Sequence, residues 1–181
     1  PENNVLIKFA NYFDDRNKTK RNIIYVTNKS FPMMEHSLAH DCESTSGKVY
    51  MIKPANVEIN HPSDKIVTMD GSYTDIPLKD NFANGIKVIS LPEPNHLDAA
   101  LREFRRVLTE KGILLIITST IFLQKKDPMS LTDFIEMKEH KEPPKQTSSK
   151  IVASKLRKYF RKVEATQLLH LNLFIGEKKE K

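Results

Sequence analysis

Apolar and polar positions along the chain fall into short runs whose period changes several times. Asn22–Thr27 (NIIYVT), Lys48–Ile52 (KVYMI), Lys65–Met69 (KIVTM) and Ile86–Leu91 (IKVISL) are apolar, β-branched runs of strand length. Ile113–Thr118 (ILLIIT) is almost continuously apolar, the pattern of a strand buried on both faces of a parallel sheet. Between the last two runs lies the clearest helix, Pro94–Leu108. Leu97, Ala100, Leu101, Phe104, Val107 and Leu108 recur there at helical spacing and form one apolar stripe, with Arg102, Arg105 and Arg106 off it. Pro32 suits the first turn of a further helix, Pro32–Cys42, because the N–H that proline lacks would have no helical partner there.

The two ends follow the same logic. Asn3–Tyr12 predicts a short helix, with Val5, Ile7, Phe9 and Phe13 available for packing, and Asp14–Arg21 is a charged connector. Ser130–His140 predicts a helix capped by Ser130, and the Pro143-Pro144 pair makes Glu142–Ser149 a loop. Lys150–Tyr159 predicts a basic amphipathic helix with Ile151, Val152, Leu156 and Tyr159 inward, and Phe160–Thr166 and Leu169–Ile175 predict a terminal strand pair. Strands alternating with helices imply an α/β fold, a doubly wound and mostly parallel sheet with helices on both faces. We divide the chain into an N-terminal helix and arm, residues 1–21, and an α/β domain, residues 22–181.

Composition narrows the class. With 181 residues, 39% hydrophobic and 29% charged, the chain suits one globular domain with a real core. Its longest apolar run, Ile113–Ile117, falls far short of the roughly 20 residues needed to span a bilayer. Pro1–Phe13 carries acid and amide residues where a secretory leader would need an apolar stretch. Cys42 is the sole cysteine, which excludes an intramolecular disulfide and makes a reducing, cytoplasmic setting the expectation. The net charge is +6, and Lys145, Lys150, Lys155, Arg157, Lys158, Arg161 and Lys162 follow one another with no acid between them. The Lys145–Lys162 stretch reads either as a footprint for an anionic partner such as nucleic acid or as a solvated helix face. His36 and His40 stand one helical turn apart, a spacing that can bind metal, but no third ligand is placed by the sequence and His61 is only a candidate, so no metal site is assigned.

One region goes beyond fold class. Asp70–Ile117 reads DGSYTDIPLKDNFANGIKVISLPEPNHLDAALREFRRVLTEKGILLII. In order it holds Asp70 after the third strand, Ile76-Pro77, Phe82, the fourth strand, a helix ending Leu101-Arg102-Glu103-Phe104-Arg105-Arg106-Val107-Leu108, a turn closing on Gly112, and an apolar fifth strand. This resembles the second half of a class I S-adenosylmethionine-dependent methyltransferase of the type 11 kind. The tail, Phe160–Glu164 and Phe174–Lys178, is similar to the family's final strand pair. The resemblance implies a Rossmann-like sheet with an antiparallel last strand, S-adenosylmethionine as cofactor and methyl transfer as activity. It also implies a cofactor crevice at Thr27, Asn28 and Ser30 after the first strand, Lys53 at the end of the second, Asp70-Gly71-Ser72 after the third and Leu91 after the fourth.

The first half departs from that pattern. The family's first strand runs into a Gly-x-Gly-x-Gly loop that lets backbone approach the cofactor where a Cβ would collide. Here the turn is Val26-Thr27-Asn28-Lys29-Ser30-Phe31-Pro32, with no glycine. The family's second strand ends in an acid that holds the ribose hydroxyls; here it ends in Lys53, which cannot accept those bonds. No catalytic group is assigned: Glu93 or His96 in the loop after the fourth strand can serve as a base, or can simply start the helix. Three functions stay open. One is a methyltransferase-like protein with a degenerate cofactor site. Another is a non-catalytic module binding an anionic metabolite or nucleotide through Lys29, Ser30 and Lys53, since a helix N-terminus favours an anion. The last is a regulatory partner acting through the basic Lys145–Lys162 face.

Overall fold

The computed structural model describes residues 2–14, 20–28, 32–59, 61, 63–92, 94–119, 149–168 and 171–180. In chain order the elements are helix α1 (Glu2–Ala10), strand β1 (Ile23–Thr27), helix α2 (Pro32–Ser44), strands β2 (Val49–Lys53), β3 (Ile66–Asp70) and β4 (Ala83–Ile89), helix α3 (Leu97–Val107), strand β5 (Leu108–Ser119), helix α4 (Ser149–Tyr159), and strands β6 (Phe160–Leu168) and β7 (Leu171–Lys178). A short 3-10 turn, Pro94–His96, leads into α3. The predicted helix at Ser130–His140 and the loop at Glu142–Ser149 lie outside the described residues, apart from Ser149. Among the described residues no helix is long and apolar enough to cross a membrane.

The strands form one sheet in the order β3-β2-β1-β4-β5-β7-β6. β1 pairs parallel with β2 and β4, β2 with β3, and β4 with β5, while β7 runs antiparallel between β5 and β6. The sheet is therefore doubly wound and mostly parallel, with the last strand of the chain inserted in reverse. Chain order steps outward from β1 to β3, then jumps back to β4 on the other side of β1. That reversal makes the β1/β4 junction the topological switch point, where ligands of open α/β sheets bind at the carboxyl ends of the strands.

Alternation of side chains along each strand divides the core into two layers. Ile24, Val26, Ile86, Val88, Leu114 and Ile116 pack against Leu97, Leu101 and Phe104 of α3 and Val152 and Leu156 of α4. Tyr25, Met51, Ile89, Leu115 and Ile117 pack against Val5 and Phe9 of α1 and Met34 and Leu38 of α2. The α3 stripe is buried as its spacing predicts, except that Leu108 leaves the helix and opens β5 opposite Ala83. Ile7 and Ile151, expected to pack inward, are instead about half exposed (49% and 46%). β4 begins earlier than its apolar run suggests, at Ala83, where it pairs with Leu108 of β5. Gly85 lets the Phe13 ring lie directly on the strand: a Cβ there would come within 2.1 Å of Phe13 Cζ.

Candidate functional site

The carboxyl ends of the central strands gather most of the residues singled out from the sequence. Thr27, the last residue of β1, is buried and registers with Ile89 of β4; Asn28 beyond it is exposed. Lys29 and Ser30 lie outside the described residues. At the other side of the crevice, Lys53 ends β2 in register with Asp70 of β3, and the Gly71 N–H donates to the Lys53 carbonyl at 2.9 Å. The Lys53 ammonium reaches its own neighbour, the Pro54 carbonyl, at 3.4 Å. Asp70 and Ser72 are exposed, and Leu91 is buried beyond the end of β4. Gly71 sits where a Cβ would meet Ile52 Cγ2 at 2.7 Å, so the chain can turn tightly off β3 against β2 only without a side chain there.

Between these two groups stands a residue the sequence reading passed over. Tyr73 is the one buried residue of a small turn, Ser72–Asp75, whose other members are exposed. Its phenol crosses to the switch point. The hydroxyl donates to the Ile89 carbonyl at 3.0 Å, at the end of β4 beside the end of β1. Its ring meets Phe104 edge-on, with centroids 6.5 Å apart. Burial pushes the phenol far above its ordinary range, so it stays protonated and keeps its donor role. Beyond Ile89, Ser90 adopts a left-handed backbone with φ of 74°, and its N–H donates to the Ile117 carbonyl at 2.8 Å. The Ser90 and Thr118 hydroxyls are both buried and lack hydrogen-bond partners among the described residues.

The turn is held from outside by α3. Glu103 accepts the Ile76 N–H at 2.7 Å, and Arg106 binds Glu103 (2.6 Å), Asp80 (2.7 Å) and the Leu78 and Ile76 carbonyls (2.9 and 3.0 Å). No helix joins β3 to β4. The connection instead lays Tyr73, Ile76, Leu78 and Phe82 on the core layer facing α3. The Glu-x-x-Arg pair of α3 is thus a clamp on the segment that carries Tyr73.

Solved structures share this architecture. An S-adenosylmethionine-dependent methyltransferase from Listeria monocytogenes superposes with a TM-score of 0.64 at 10% identity, covering 99% of this chain and 97% of that one. A geranyl diphosphate methyltransferase solved with sinefungin gives 0.66 at 9% identity, covering 98% and 78%. A methyltransferase from Aquifex aeolicus gives 0.55 at 17% identity, covering 96% and 89%. The chain has the fold of the class I methyltransferases. No family profile matches the sequence, and no curated protein matches it.

Within the methyltransferase fold the remaining candidates separate. His96 closes the 3-10 turn before α3 and is exposed, and Glu93 lies outside the described residues. Exposed His36 stands apart from His40, which faces Asp14 at 3.7 Å; His61 bonds Thr68 Oγ1 at 2.8 Å. Among the described residues no group of three His, Cys, Asp or Glu side chains could hold a metal ion. The basic stretch is less bare than its sequence. Asp98 of α3 reaches Lys155 at 2.6 Å, and Glu177 of β7 reaches Arg161 at 2.7 Å and Lys162 at 3.2 Å. Lys150, Arg157 and Lys158 of α4 are exposed.

The fold also buries a charge that no motif announced. Lys87, in the middle of β4, is fully buried on the α1/α2 side. Its ammonium donates to Asp41 Oδ2 (2.7 Å), Ser37 Oγ (2.9 Å) and the Ala10 carbonyl (3.0 Å), using all three N–H bonds. The Tyr25 hydroxyl donates to the same Asp41 oxygen and touches Ser37 Oγ. Phe9 and Phe13 present their rings to the ammonium at 5.1 and 5.6 Å. Burial pushes Lys87 below and Asp41 above their ordinary values. The cluster lies in mid-sheet, away from the crevice. Its sequence signal was a lone lysine in an otherwise apolar strand.

Proposed function

We propose that this chain is a methyltransferase-like protein whose S-adenosylmethionine crevice is degenerate, so that methyl transfer is lost or greatly weakened. The observation that carries this reading is the carboxyl end of β2. It presents Lys53, in register with Asp70, where the cofactor's ribose would need an acceptor. The glycine-free sequence after β1 argues the same way, because the family's loop needs residues without a Cβ where backbone approaches the donor. The residues present therefore do not fit the cofactor that the fold suggests. Positioning supplies much of the rate in reactions of this kind, and a crevice that cannot hold the donor forfeits that contribution.

Isothermal titration of the whole chain with S-adenosylmethionine and S-adenosylhomocysteine tests this directly. The expected result is no binding in the micromolar range. Micromolar binding accompanied by turnover of the methyl donor would overturn the reading.

A second reading, a crevice for an anionic metabolite or nucleotide, is favoured by Lys53 alone. Among the described residues its ammonium has only a long contact to a neighbouring carbonyl. Stabilisation by phosphate or a nucleoside monophosphate that disappears in Lys53→Met is the expected sign of it.

A further inference from the structure

We propose that Tyr73 is an internal stopper: its phenol takes the place at the β1/β4 switch point that a planar ligand ring would occupy, and such a ring is admitted only when the Ser72–Asp75 turn swings out. The inference rests on this crevice being the ligand site of the fold, but not on which ligand the crevice has kept or lost.

The geometry has the parts of a hinged plug. The turn is fixed at both feet. On one side the Gly71 N–H is bonded to the Lys53 carbonyl, and on the other Ile76 is bonded to Glu103, itself held by Arg106. Between the feet, the only backbone bonds among the described residues are the mutual pair Ser72 N–H to Asp75 O (3.0 Å) and Asp75 N–H to Ser72 O (3.2 Å). These travel with the turn and do not anchor it. Ser72, Thr74 and Asp75 are exposed, and among the described residues it is the Tyr73 side chain that ties the tip to the body.

That tie imitates a ligand. A flat ring lies against Phe104, and the hydroxyl at its end donates to the Ile89 carbonyl. Ile89 closes β4 at the switch point, opposite Thr27, the last residue of β1. An incoming ring must replace that bond to compete. The chemistry that fits is a planar ring with a donor on its edge, as in a phenol or a nucleobase.

The test compares the wild-type chain with Tyr73→Ala and Tyr73→Phe, using p-cresol and adenosine as separate probes in isothermal titration. The stopper predicts that both probes bind Tyr73→Ala at least about tenfold more tightly than wild type. Tyr73→Phe, which keeps the ring, should stay closed. Adenosine binding equally to wild type and Tyr73→Ala would overturn the inference, because nothing would then be displaced. Binding of p-cresol but not adenosine to Tyr73→Ala would also overturn it, by showing an ordinary core tyrosine over a sealed cavity.

Should Tyr73→Ala fail to fold, hydrogen exchange on the wild type decides. The Asp75 amide should exchange through a local opening, well before amides of β1 and β4. Exchange at the rate of global unfolding would overturn the hinge. Micromolar S-adenosylmethionine binding to wild type would end the degenerate-site reading, while a tighter grip by Tyr73→Ala would still support the stopper. The two ideas therefore fail separately.

Discussion

The two faces of the central sheet are built on different principles. Toward α3 and α4, Val26, Ile86, Val88, Leu114 and Ile116 meet Leu101, Phe104 and Leu156, and stability comes from apolar area removed from water. Toward α1 and α2, the same strands carry Tyr25 and Lys87 into contact with Ser37 and Asp41. Taking two charges out of water costs several kcal/mol each, and their attraction offsets this only where hydrogen bonding is nearly complete. Lys87 meets that condition with three acceptors. Asp41 falls short, since its Oδ1 has no partner among the described residues. The charged face is thus the less forgiving of the two. In return it has a specificity that hydrocarbon lacks: Lys87 binds the Ala10 carbonyl and so fixes where the end of α1 lies on the sheet.

Removing one charge should separate the faces most sharply. Lys87→Met leaves Asp41 buried and unpaired and should cost about 3–5 kcal/mol in urea unfolding. Adding Asp41→Leu should recover most of that loss. A double variant as unstable as the single one would mean that the cluster acts through packing rather than charge, and the contrast between the faces would collapse. Next in size is Leu101→Ala on the apolar face, expected to cost about 3 kcal/mol through lost transfer energy and a residual cavity. No second substitution on that face should rescue it by removing a partner.

Acid supplies a smaller and more selective probe. Burial works against ionised Glu103, but its bonds from Arg106 and from the Ile76 N–H prevail, so its carboxyl lies below the ordinary range. A carboxylate held low in the folded state contributes stability above its unfolded value, and the contribution is lost as pH falls through the folded value. Glu103→Gln should therefore be less stable than wild type by about 1 kcal/mol at neutral pH. Its stability should also change less between about pH 5 and pH 3. A curve parallel to that of wild type would show that the clamp on the Tyr73 segment owes nothing to charge. The smallest effect concerns the one orphan hydroxyl sharing the strand face of Leu114 and Ile116. Thr118→Val should stabilise by about 1 kcal/mol, read as a rise in the urea midpoint at unchanged slope. A loss of stability would mean that the hydroxyl has a use.

Much of the fold was legible because the signals are local. The α3 stripe repeats every helical turn, and the five apolar runs match five parallel strands within a few residues, since burial and period are written in neighbouring positions. The strand ends were less legible. β4 starts at Ala83 because that residue pairs with Leu108, far away in sequence. The resemblance implied Thr27, Asp70 and Gly71 as crevice residues, and the fold places them at the carboxyl ends of strands. Tyr73 was not, because an aromatic residue in a turn of polar neighbours gives no hint of where its ring will go.

By itself the sequence determined the period of each element, the alternation that makes a doubly wound sheet, the glycine-free turn after β1 and the lysine closing β2. Only the tertiary structure decided that Lys87 would meet Asp41, that Glu103 and Arg106 would grip the β3–β4 connection, and that a tyrosine from that connection would fill the switch point. The reason is range. Periodicity depends on residues a turn or a pleat apart, whereas a buried polar group takes its meaning from a partner that only the folded chain brings within hydrogen-bond distance.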